Sequence, residues 1–422
     1  MMKLSLMKNY ILLLVLVICS GRAFAQEQIT VITPNPNDTR VITTGTAFMQ
    51  IASDARAAGL ADQGVATSPD AFSQQWNVSK YAFSQAEQGL SFTYTPYLTA
   101  LVNDIFLGGL TYYNKLDDRS AISASFRYFS LGEIEFRETG ATDEVSIVQK
   151  PNEFTFDVAY SLKLSDQFSM GVGLKYIRSD LKLQGSQAEA ATDAGPASSF
   201  AVDLGGYYES QEKAYNSFNG KWRGGFAIQN IGPKIKYEED GDENFLPTTM
   251  RLGGGFDFIL DGANTIGVTL ETTKLLVPTP PIYGTKFVYE DVDGDGQYNA
   301  GIDVASPTDD NYIIEGKDPN VNFTKGMIQS FGDAPGGFSE ELNEFTYSVS
   351  AEYMYQEAFA FRLGYFNEHE TKGARKFFSL GAGFKYNVVN IDISYLLSTS
   401  KVVSPLENTL RFSLSFNLGG NN

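Results

Sequence analysis

The last stretch of the chain, residues 409–418, alternates between apolar and polar side chains without a break. Its apolar positions are Leu410, Phe412, Leu414, Phe416 and Leu418, and its polar positions are Arg411, Ser413, Ser415 and Asn417. Strict period-two alternation over about 10 residues predicts a strand with one face suited to hydrocarbon. Because lipid offers no hydrogen bonds to backbone N–H and C=O groups, such strands must close into a barrel.

The same alternation recurs along most of the chain after residue 85. The segments are 88–98, 103–116, 120–129, 153–164, 168–181, 198–209, 219–231, 246–260, 263–274, 343–356, 358–366, 376–387, 389–400 and 408–418. The predicted fold class is therefore all-β, an antiparallel outer-membrane barrel of about 14 strands, with the even strand number of bacterial barrels. Asp157 and Lys163 should face the lumen, since a charge on the lipid face costs about 2 to 4 kcal/mol at the membrane midplane.

The connections between these segments alternate in length. Short turns are expected at 117–119, 165–167, 261–262 and 356–357, whereas long loops are expected at 132–152, 182–197 and 275–342. Barrels with both termini in the periplasm have this pattern, and a soluble β-sandwich has no reason to show it. Residues 275–342 are thus predicted to form a long extracellular loop. An interfacial aromatic girdle is predicted at Tyr94, Tyr113, Tyr128, Tyr176, Tyr208 and Trp222.

The N-terminus predicts export. Lys3 and Lys8 precede an apolar run at residues 10–19 and a small-residue site at Ala23 and Ala25. This pattern is typical of a cleaved secretory signal peptide, here residues 1–25, and the run is about half of what a spanning helix needs. The single cysteine, Cys19, lies within it, so no disulfide is expected in the mature chain.

Residues 26–85 are predicted to form a hatch inside or beneath the barrel, which occupies residues 86–422. Positions 47–66 are rich in Ala and Gly, and carry Asp54, Arg56 and Asp62, so they have little apolar surface for a core of their own. Two similar strand motifs, 169–176 and 379–386, each place two glycines on the inward face. Glycine at these positions would let the backbone of a plug approach the wall.

Several function classes find little support. The chain has Lys+Arg 32 against Asp+Glu 50, a net charge of -18, which argues against nucleic acid as a partner. The single histidine, His369, lies in a charged loop. A Ser-His-Asp hydrolase would need it as the base, and one imidazole cannot build a His-based zinc site. No catalytic residues are predicted, and the protein is not expected to be an enzyme.

An acidic motif in the long loop resembles a calcium-binding loop. The candidate ligands are Asp291, Asp293, Asp295, the backbone carbonyl of Gln297, and Asp303. Carboxylates at positions 1, 3 and 5 and a glycine at position 6 match the oxygen cage of such loops. The closing acid should stand at Ile302, and Asp303 is one residue late. A turn-rich acidic loop without Ca²⁺ is the alternative, because Asp and Gly are also good turn formers.

The same long loop carries the predicted partner-binding residues. They are Pro278, Pro280, Pro281, Met327, Ile328, Phe331 and Phe338. The prolines fix the backbone in an extended form and are expected to project the loop from the rim. Exposed apolar side chains on such a loop favour a protein partner. The alternative is a loop that folds back to cap its own lumen.

Specific segments add a family resemblance. The stretch Phe48-Met-Gln-Ile-Ala-Ser-Asp54-Ala-Arg56-Ala-Ala-Gly59-Leu-Ala, leading to Trp76-Asn77, and the loop Phe129-Ser-Leu-Gly132-Glu-Ile occur together with the signal peptide and strands. In these features the chain resembles the PorV/PorQ family of FadL-like outer-membrane proteins. FadL-type transporters carry Asn-Pro-Ala in the hatch, where this chain has Asn77-Val78-Ser79. That departure disfavours fatty-acid transport.

The resemblance implies a non-enzymatic component of the type IX secretion system of Bacteroidota, integral to the cell outer membrane. Its implied partners are a SprA/Sov-type translocon barrel, the C-terminal signal domains of secreted cargo, and a PorU-type attachment complex to which cargo is shuttled. Membrane lipid and lipopolysaccharide would surround the barrel. Two alternatives remain: a FadL-like channel for hydrophobic small molecules, and an outer-membrane hydrolase that uses His369.

Overall fold

The computed structural model describes residues 29–34, 40–98, 102, 104–136, 147–181, 195–238, 241–290, 292–293, 295, 298–299, 301–400, 406 and 409–419. Fourteen strands in this part of the chain form the barrel wall. They are β2 Gln88–Pro96, β3 Ile105–Lys115, β4 Ser120–Leu131, β7 Asn152–Ser165, β8 Phe168–Asp180, β9 Ala197–Glu209, β11 Asn219–Ile231, β14 Thr249–Ile259, β15 Asn264–Leu275, β18 Phe345–Tyr355, β19 Phe359–Asn367, β20 Lys376–Tyr386, β21 Val389–Ser398 and β22 Leu410–Leu418.

Shorter elements complete the described structure. The remaining strands are β1 Ile29–Pro34, β5 Ile134–Phe136, β6 Ile147–Gln149, β10 Lys213–Ala214, β12 Ile235–Lys236, β13 Glu243–Asn244, β16 Ile282–Glu290 and β17 Val304–Glu315. The helices are α1 Ala55–Gly59, α2 Phe323–Gln329 and α3 Gly337–Asn343, with 3-10 turns at Ala47–Gln50, Ser73–Gln75 and Val78–Phe83. Over the described ranges, no helix has the length and apolar character needed to cross a membrane.

The wall is closed and antiparallel throughout. Each wall strand pairs with the wall strand that follows it, including β9 with β11. The circle closes where the last strand pairs with the first, with Leu414 opposite Phe92. Closure leaves no unpaired strand edge facing lipid, which is the condition for a spanning sheet. The predicted fold class and strand number are confirmed.

The two faces of the wall differ as the alternation predicts. In β22, Arg411 and Ser413 are buried, whereas Leu410 and Phe412 are exposed on the outside. Asp157 is also buried, and the ammonium of Lys163 lies 4.6 Å from the centroid of the Phe83 ring, which belongs to the N-terminal segment. Both charges therefore face inward, as predicted.

One member of the predicted aromatic girdle is wrong. Trp222 and Tyr94 are exposed on the outer surface as expected. Tyr113 instead faces inward, where its ring stacks on Tyr81 with 4.7 Å between centroids. In β3 the outward face carries Tyr112, so the next residue necessarily points to the lumen.

The connections lie at two ends with different character. The predicted short turns are confirmed, and at the turn between β18 and β19 both Gln356 and Glu357 have positive φ, as a tight two-residue hairpin requires. We call this the turn end. The long connections join strands at the opposite end, which we call the loop end.

The longest connection, between β15 and β18, is structured. Its β16 pairs with β17 and with β1, forming a three-stranded antiparallel sheet that belongs to a separate compact unit. Its helices α2 and α3 belong to the unit that contains the barrel wall. The N-terminal segment expected to act as a hatch is thus divided, because β1 joins the three-stranded sheet while residues 45–84 contact the barrel strands.

Candidate functional site

The barrel encloses residues 45–84, which we call the inner segment. Asp54 caps α1 by accepting a hydrogen bond from the N–H of Ala57 at 2.7 Å. Its second oxygen accepts from the indole N–H of Trp76, also at 2.7 Å. The Asp54 and Trp76 positions of the family motif are therefore joined directly, and the alanines of α1 pack against the indole.

Ion pairs tie the inner segment to the wall. Arg56 pairs with Asp70 within the segment at 2.6 Å and with Glu352 of β18 at 2.9 Å. Glu352 also pairs with Arg362 of β19 at 2.8 Å, which in turn pairs with Asp392 of β21 at 2.6 Å. Breaking a buried pair by removing one partner leaves an uncompensated charge, so replacing a single member of this network should destabilise the contact between the segment and the wall.

Inward-facing glycines let the two backbones meet. A Cβ at Gly171 would lie 2.8 Å from the backbone nitrogen of Ser79, and a Cβ at Gly364 would lie 2.7 Å from that of Ala61. Both distances are shorter than real Cβ contacts allow. Among the glycines of the two predicted motifs, Gly171 and Gly381 meet the backbone of the inner segment, so the expectation of close backbone approach is confirmed for them, whereas Gly173 and Gly383 face the side chains of Asp203 and Asp392 in the wall.

Asn77 also fastens the inner segment to the wall. Its amide group donates to the carbonyl oxygens of Val65 and Gly206, each at 3.0 Å, and its Oδ1 accepts from the N–H of Ser79. The asparagine of the hatch motif thus links the inner segment to the wall by hydrogen bonds, even though Val78 stands where FadL-type transporters have proline.

A cavity of about 100 Å³ lies at the loop end, between the inner segment and the wall. Its lining combines both signs of charge with hydroxyl and apolar groups. The lining residues are Ile42, Gln50, Asp62, Thr249, Arg251, Thr273, Leu275, Glu344, Thr346, Phe366, Glu368, Lys372 and Arg375.

A buried ionic cluster attaches α3 and the residue that follows it to the rim of the wall. Lys274 of β15 pairs with Glu341 at 3.3 Å and with Glu344. Lys372, from the connection between β19 and β20, pairs with Glu340 at 2.8 Å and with Glu344 at 2.9 Å. These contacts fix the helical segment, residues 323–344, at the loop end.

Two carboxyl groups of this segment have shifted pKa values. Burial raises the pKa of Asp333 to about 6, helped by the nearby carboxylates of Glu341 and Glu344 and opposed by the hydrogen bond from the N–H of Thr279. Burial acts to raise the pKa of Glu340, but the hydrogen bonds from Lys372 and from the N–H of Gly336, together with the positive charges of Lys372 and Arg40, outweigh it, and the net shift is downward.

The predicted partner-binding residues separate into two groups. Ile328 and Phe338 are each 78% exposed and Phe331 is 52% exposed, whereas Met327 is half-buried. Pro278 and Pro281 are buried and Pro280 is half-buried. The expected projection of the prolines is therefore wrong, and Pro278 instead lies beside Gly326 of α2. We refer to Ile328, Phe331 and Phe338 as the exposed apolar residues.

The acidic motif is only partly described, because Asp291 and Gln297 lie outside the described residues. The amide of Asn299 donates to Asp293 at 2.9 Å and to Asp295 at 2.8 Å. Asp303 accepts from the backbone N–H of Val292 and of Asn299. Across the residues that the structure covers, no group of three or more His, Cys, Asp or Glu side chains is arranged to hold a metal. Calcium binding remains a prediction.

The fold and the enclosed segment define the class: a closed outer-membrane-type β-barrel whose lumen contains its own N-terminal segment. The family model described as type IX secretion system protein PorV matches residues 34–282, more than half of the chain. The chain belongs to this family. Family membership and fold together give it a role in type IX secretion in the outer membrane.

Solved structures with a similar fold include hydrocarbon transporters. The toluene transporter TbuX of Ralstonia pickettii has 10% identity, coverage of 87% of this chain and 97% of that chain, and a TM-score of 0.44. The toluene transporter TodX of Pseudomonas putida has 12% identity, coverage of 90% and 99%, and a TM-score of 0.45. A FadL homologue of Pseudomonas aeruginosa has 12% identity, coverage of 90% and 100%, and a TM-score of 0.40. No match to the chain was found among curated protein sequences.

Proposed function

We propose that the protein is a non-enzymatic shuttle of the type IX secretion system. In this proposal it binds the C-terminal signal domain of exported cargo at a SprA/Sov-type translocon barrel and carries it to a PorU-type attachment complex at the cell surface. Family membership supports the secretion role. The inner segment would act as the hatch that keeps the lumen closed while cargo is handled at the loop end.

The observation that carries the proposal is the helical segment 323–344. It is held by buried ion pairs to Lys274 and Lys372, yet it presents Ile328 and Phe338 almost fully to the outside. Ordered, exposed apolar side chains on a functional loop are better explained by a protein partner than by water. Fixing them in advance lowers the entropy lost on binding.

The surroundings of the single histidine bear on the hydrolase alternative. The Nδ1 atom of His369 lies 3.0 Å from the hydroxyl oxygen of Thr371, two residues along the same loop. A hydrolase would need this imidazole between a nucleophile and an orienting carboxylate. The hydrolase reading therefore ranks last.

A channel for hydrophobic small molecules is the second candidate. The closed barrel wall, which surrounds a lumen, is the feature that favours this candidate. It ranks below the shuttle because the inward face carries buried charges, such as Lys175 paired with Asp203 at 3.0 Å, and the loop-end cavity is lined by Arg251 and Asp62. An apolar ligand gains little in such surroundings.

The test compares two kinds of variant in co-purification from native outer membranes. Deleting residues 278–337 should abolish recovery of the translocon and cargo while the barrel still assembles. The double variant Ile328→Asn with Phe338→Asn should weaken the same interaction with less disturbance, and Ser339→Asn, an exposed polar position on α3, is the matched control. Unchanged recovery of every partner by the deletion variant would reject the proposal.

A further inference from the structure

The loop-end cavity contains an arginine with unused hydrogen-bonding capacity. Arg251, on β14, donates through Nη1 to Glu271 at 3.1 Å and to Thr273 at 3.3 Å. Its Nε is buried and has no hydrogen-bond partner. A buried donor without an acceptor is destabilising, so its presence in a cavity wall calls for an explanation.

The acidic side chains that line the cavity already have cationic partners. Asp62 pairs with Arg411 at 3.2 Å, and Glu344 pairs with Lys372 at 2.9 Å. Glu368 accepts from Nε and Nη2 of Arg375, at 2.8 and 3.0 Å. The carboxylates of the cavity wall are therefore engaged by their own partners, and Arg251 keeps hydrogen-bonding capacity for an acceptor from outside the wall.

Aromatic rings hold both cavity arginines in fixed orientations. The guanidinium carbon of Arg251 lies 4.9 Å from the Trp76 ring, and that of Arg375 lies 5.2 Å from the Phe366 ring. A planar guanidinium fixed in this way presents N–H donors in a geometry that matches a carboxylate, with little side-chain entropy left to lose. Arg375 uses its Nε and Nη2 on Glu368, so it can offer an incoming carboxylate less than Arg251 can. Neutral acceptors match it less well, because bonds between two charged groups are stronger.

We propose that the loop-end cavity binds a carboxylate presented from outside the barrel, with Arg251 as its principal ligand and Arg375 as the second. This inference rests on the proposed function, since the carboxylate would belong to the cargo's C-terminal signal domain. It is either the chain-terminal carboxylate or an acidic side chain. A volume of about 100 Å³ corresponds to roughly three water molecules, enough for one carboxylate and its nearest atoms and too small for a folded element.

The test uses the purified C-terminal signal domain of a secreted protein that co-purifies with the barrel, prepared as the free acid and as the C-terminal amide. Isothermal titration measures its affinity for the full-length wild-type barrel and for Arg251→Gln, Arg375→Gln and Arg119→Gln. Arg119 lies at the turn end, is exposed, and serves as the matched control. Loss of a charge-assisted hydrogen bond should weaken binding of the free acid to the Arg251 variant about 10- to 150-fold and leave the Arg119 variant unchanged.

The amide separates the two sources of the carboxylate. If the chain terminus occupies the cavity, amidation weakens binding to the wild type and has a much smaller effect on Arg251→Gln, where only Arg375 remains to bind the carboxylate. If an acidic side chain occupies it, amidation is neutral, and one Glu→Gln or Asp→Asn change in the signal domain produces the loss instead.

Folding is controlled independently. In Arg251→Gln, Glu271 keeps the N–H bonds from Gly64 and Val65, and Arg375→Gln leaves that contact untouched. Heat-modifiable gel mobility reports barrel assembly. If Arg251→Gln does not assemble, the affinities of Arg375→Gln and Arg251→Lys test the proposal instead. Wild-type affinity in the assembled arginine variants overturns this inference alone. Failure of the wild type to bind the signal domain in any form overturns the proposed function as well.

Discussion

A single methyl group on the inner wall should loosen the inner segment. At Gly364, on β19, an added Cβ would lie 2.7 Å from the backbone nitrogen of Ala61 and 2.8 Å from its Cβ. Backbone cannot rotate away as a long side chain can, so the inner segment has to move. The movement also endangers the hydrogen bond from the N–H of Ala61 to the hydroxyl of Ser379, which is 2.9 Å long.

Overpacking by one methylene-sized group costs about 1 to 3 kcal/mol. If this cost falls on the docked state of the inner segment, the ratio of docked to released molecules drops roughly 5- to 150-fold. Gly254→Ala is the matched control. It makes the same change on the outward face of β14, where the nearest atom to an added Cβ, the backbone oxygen of Arg223, is 3.9 Å away. Alanine there should be neutral or slightly stabilising, because glycine is unfavourable within strands.

Hydrogen exchange read by mass spectrometry on peptides covering residues 55–65 tests this directly. Gly364→Ala should accelerate exchange of these amides roughly 5- to 150-fold, whereas Gly254→Ala should match the wild type. Equal protection in both variants would refute the reasoning, because it would mean that the contact between Gly364 and Ala61 does not hold the segment. An equal loss of amide protection in both variants would mean that any added side chain destabilises the wall.

Three further predictions concern the hatch, the helical segment and the acidic motif. Removing residues 26–85 should raise single-channel conductance in planar bilayers, and unchanged conductance would contradict a closing role for the inner segment. Because the pKa of Asp333 is raised to about 6, its ionisation opposes docking of the helical segment, so the contribution of Asp333 to the stability of the docked segment is full below about pH 4 and is lost as pH rises through about 6. Asp333→Asn should thus protect residues 323–344 from protease at pH 7.5 and change little at pH 4, and equal effects at both pH values would disprove it. If Ca²⁺ binds the acidic motif, EGTA should increase cleavage between residues 275 and 342 and Asp293→Ala should mimic it, whereas identical cleavage with and without Ca²⁺ would exclude the site.

The barrel wall was predictable because the alternation that defines each strand is a local feature of the sequence. Alternation with period two places every side chain of a strand on one face or the other, and the need to keep charges from lipid fixes which face is inward. That reasoning located Asp157 and Lys163 correctly. It failed at Tyr113, because residue type was weighed above position in the strand.

The contacts of the inner segment and of the helical segment were not predictable from one sequence. The pairing of Arg56 with Glu352 joins residues 296 positions apart, and no pattern in the sequence near either residue indicates it. The sequence did contain one indication for Lys274. By its position in β15 it lies on the same outward face as Val268 and Leu270, where a charge has to be shielded from lipid. The carboxylates of α3 neutralise this charge and bury it. The burial of Pro278 also depends on this long-range packing.

The most direct test of the central claim is affinity purification of the protein from native outer membranes, followed by mass spectrometry. A shuttle of the type IX secretion system should bring with it a large translocon barrel and secreted proteins that share a C-terminal signal domain. Recovery of the barrel without either, and with hydrophobic small molecules bound in its lumen, would contradict the shuttle and favour the channel.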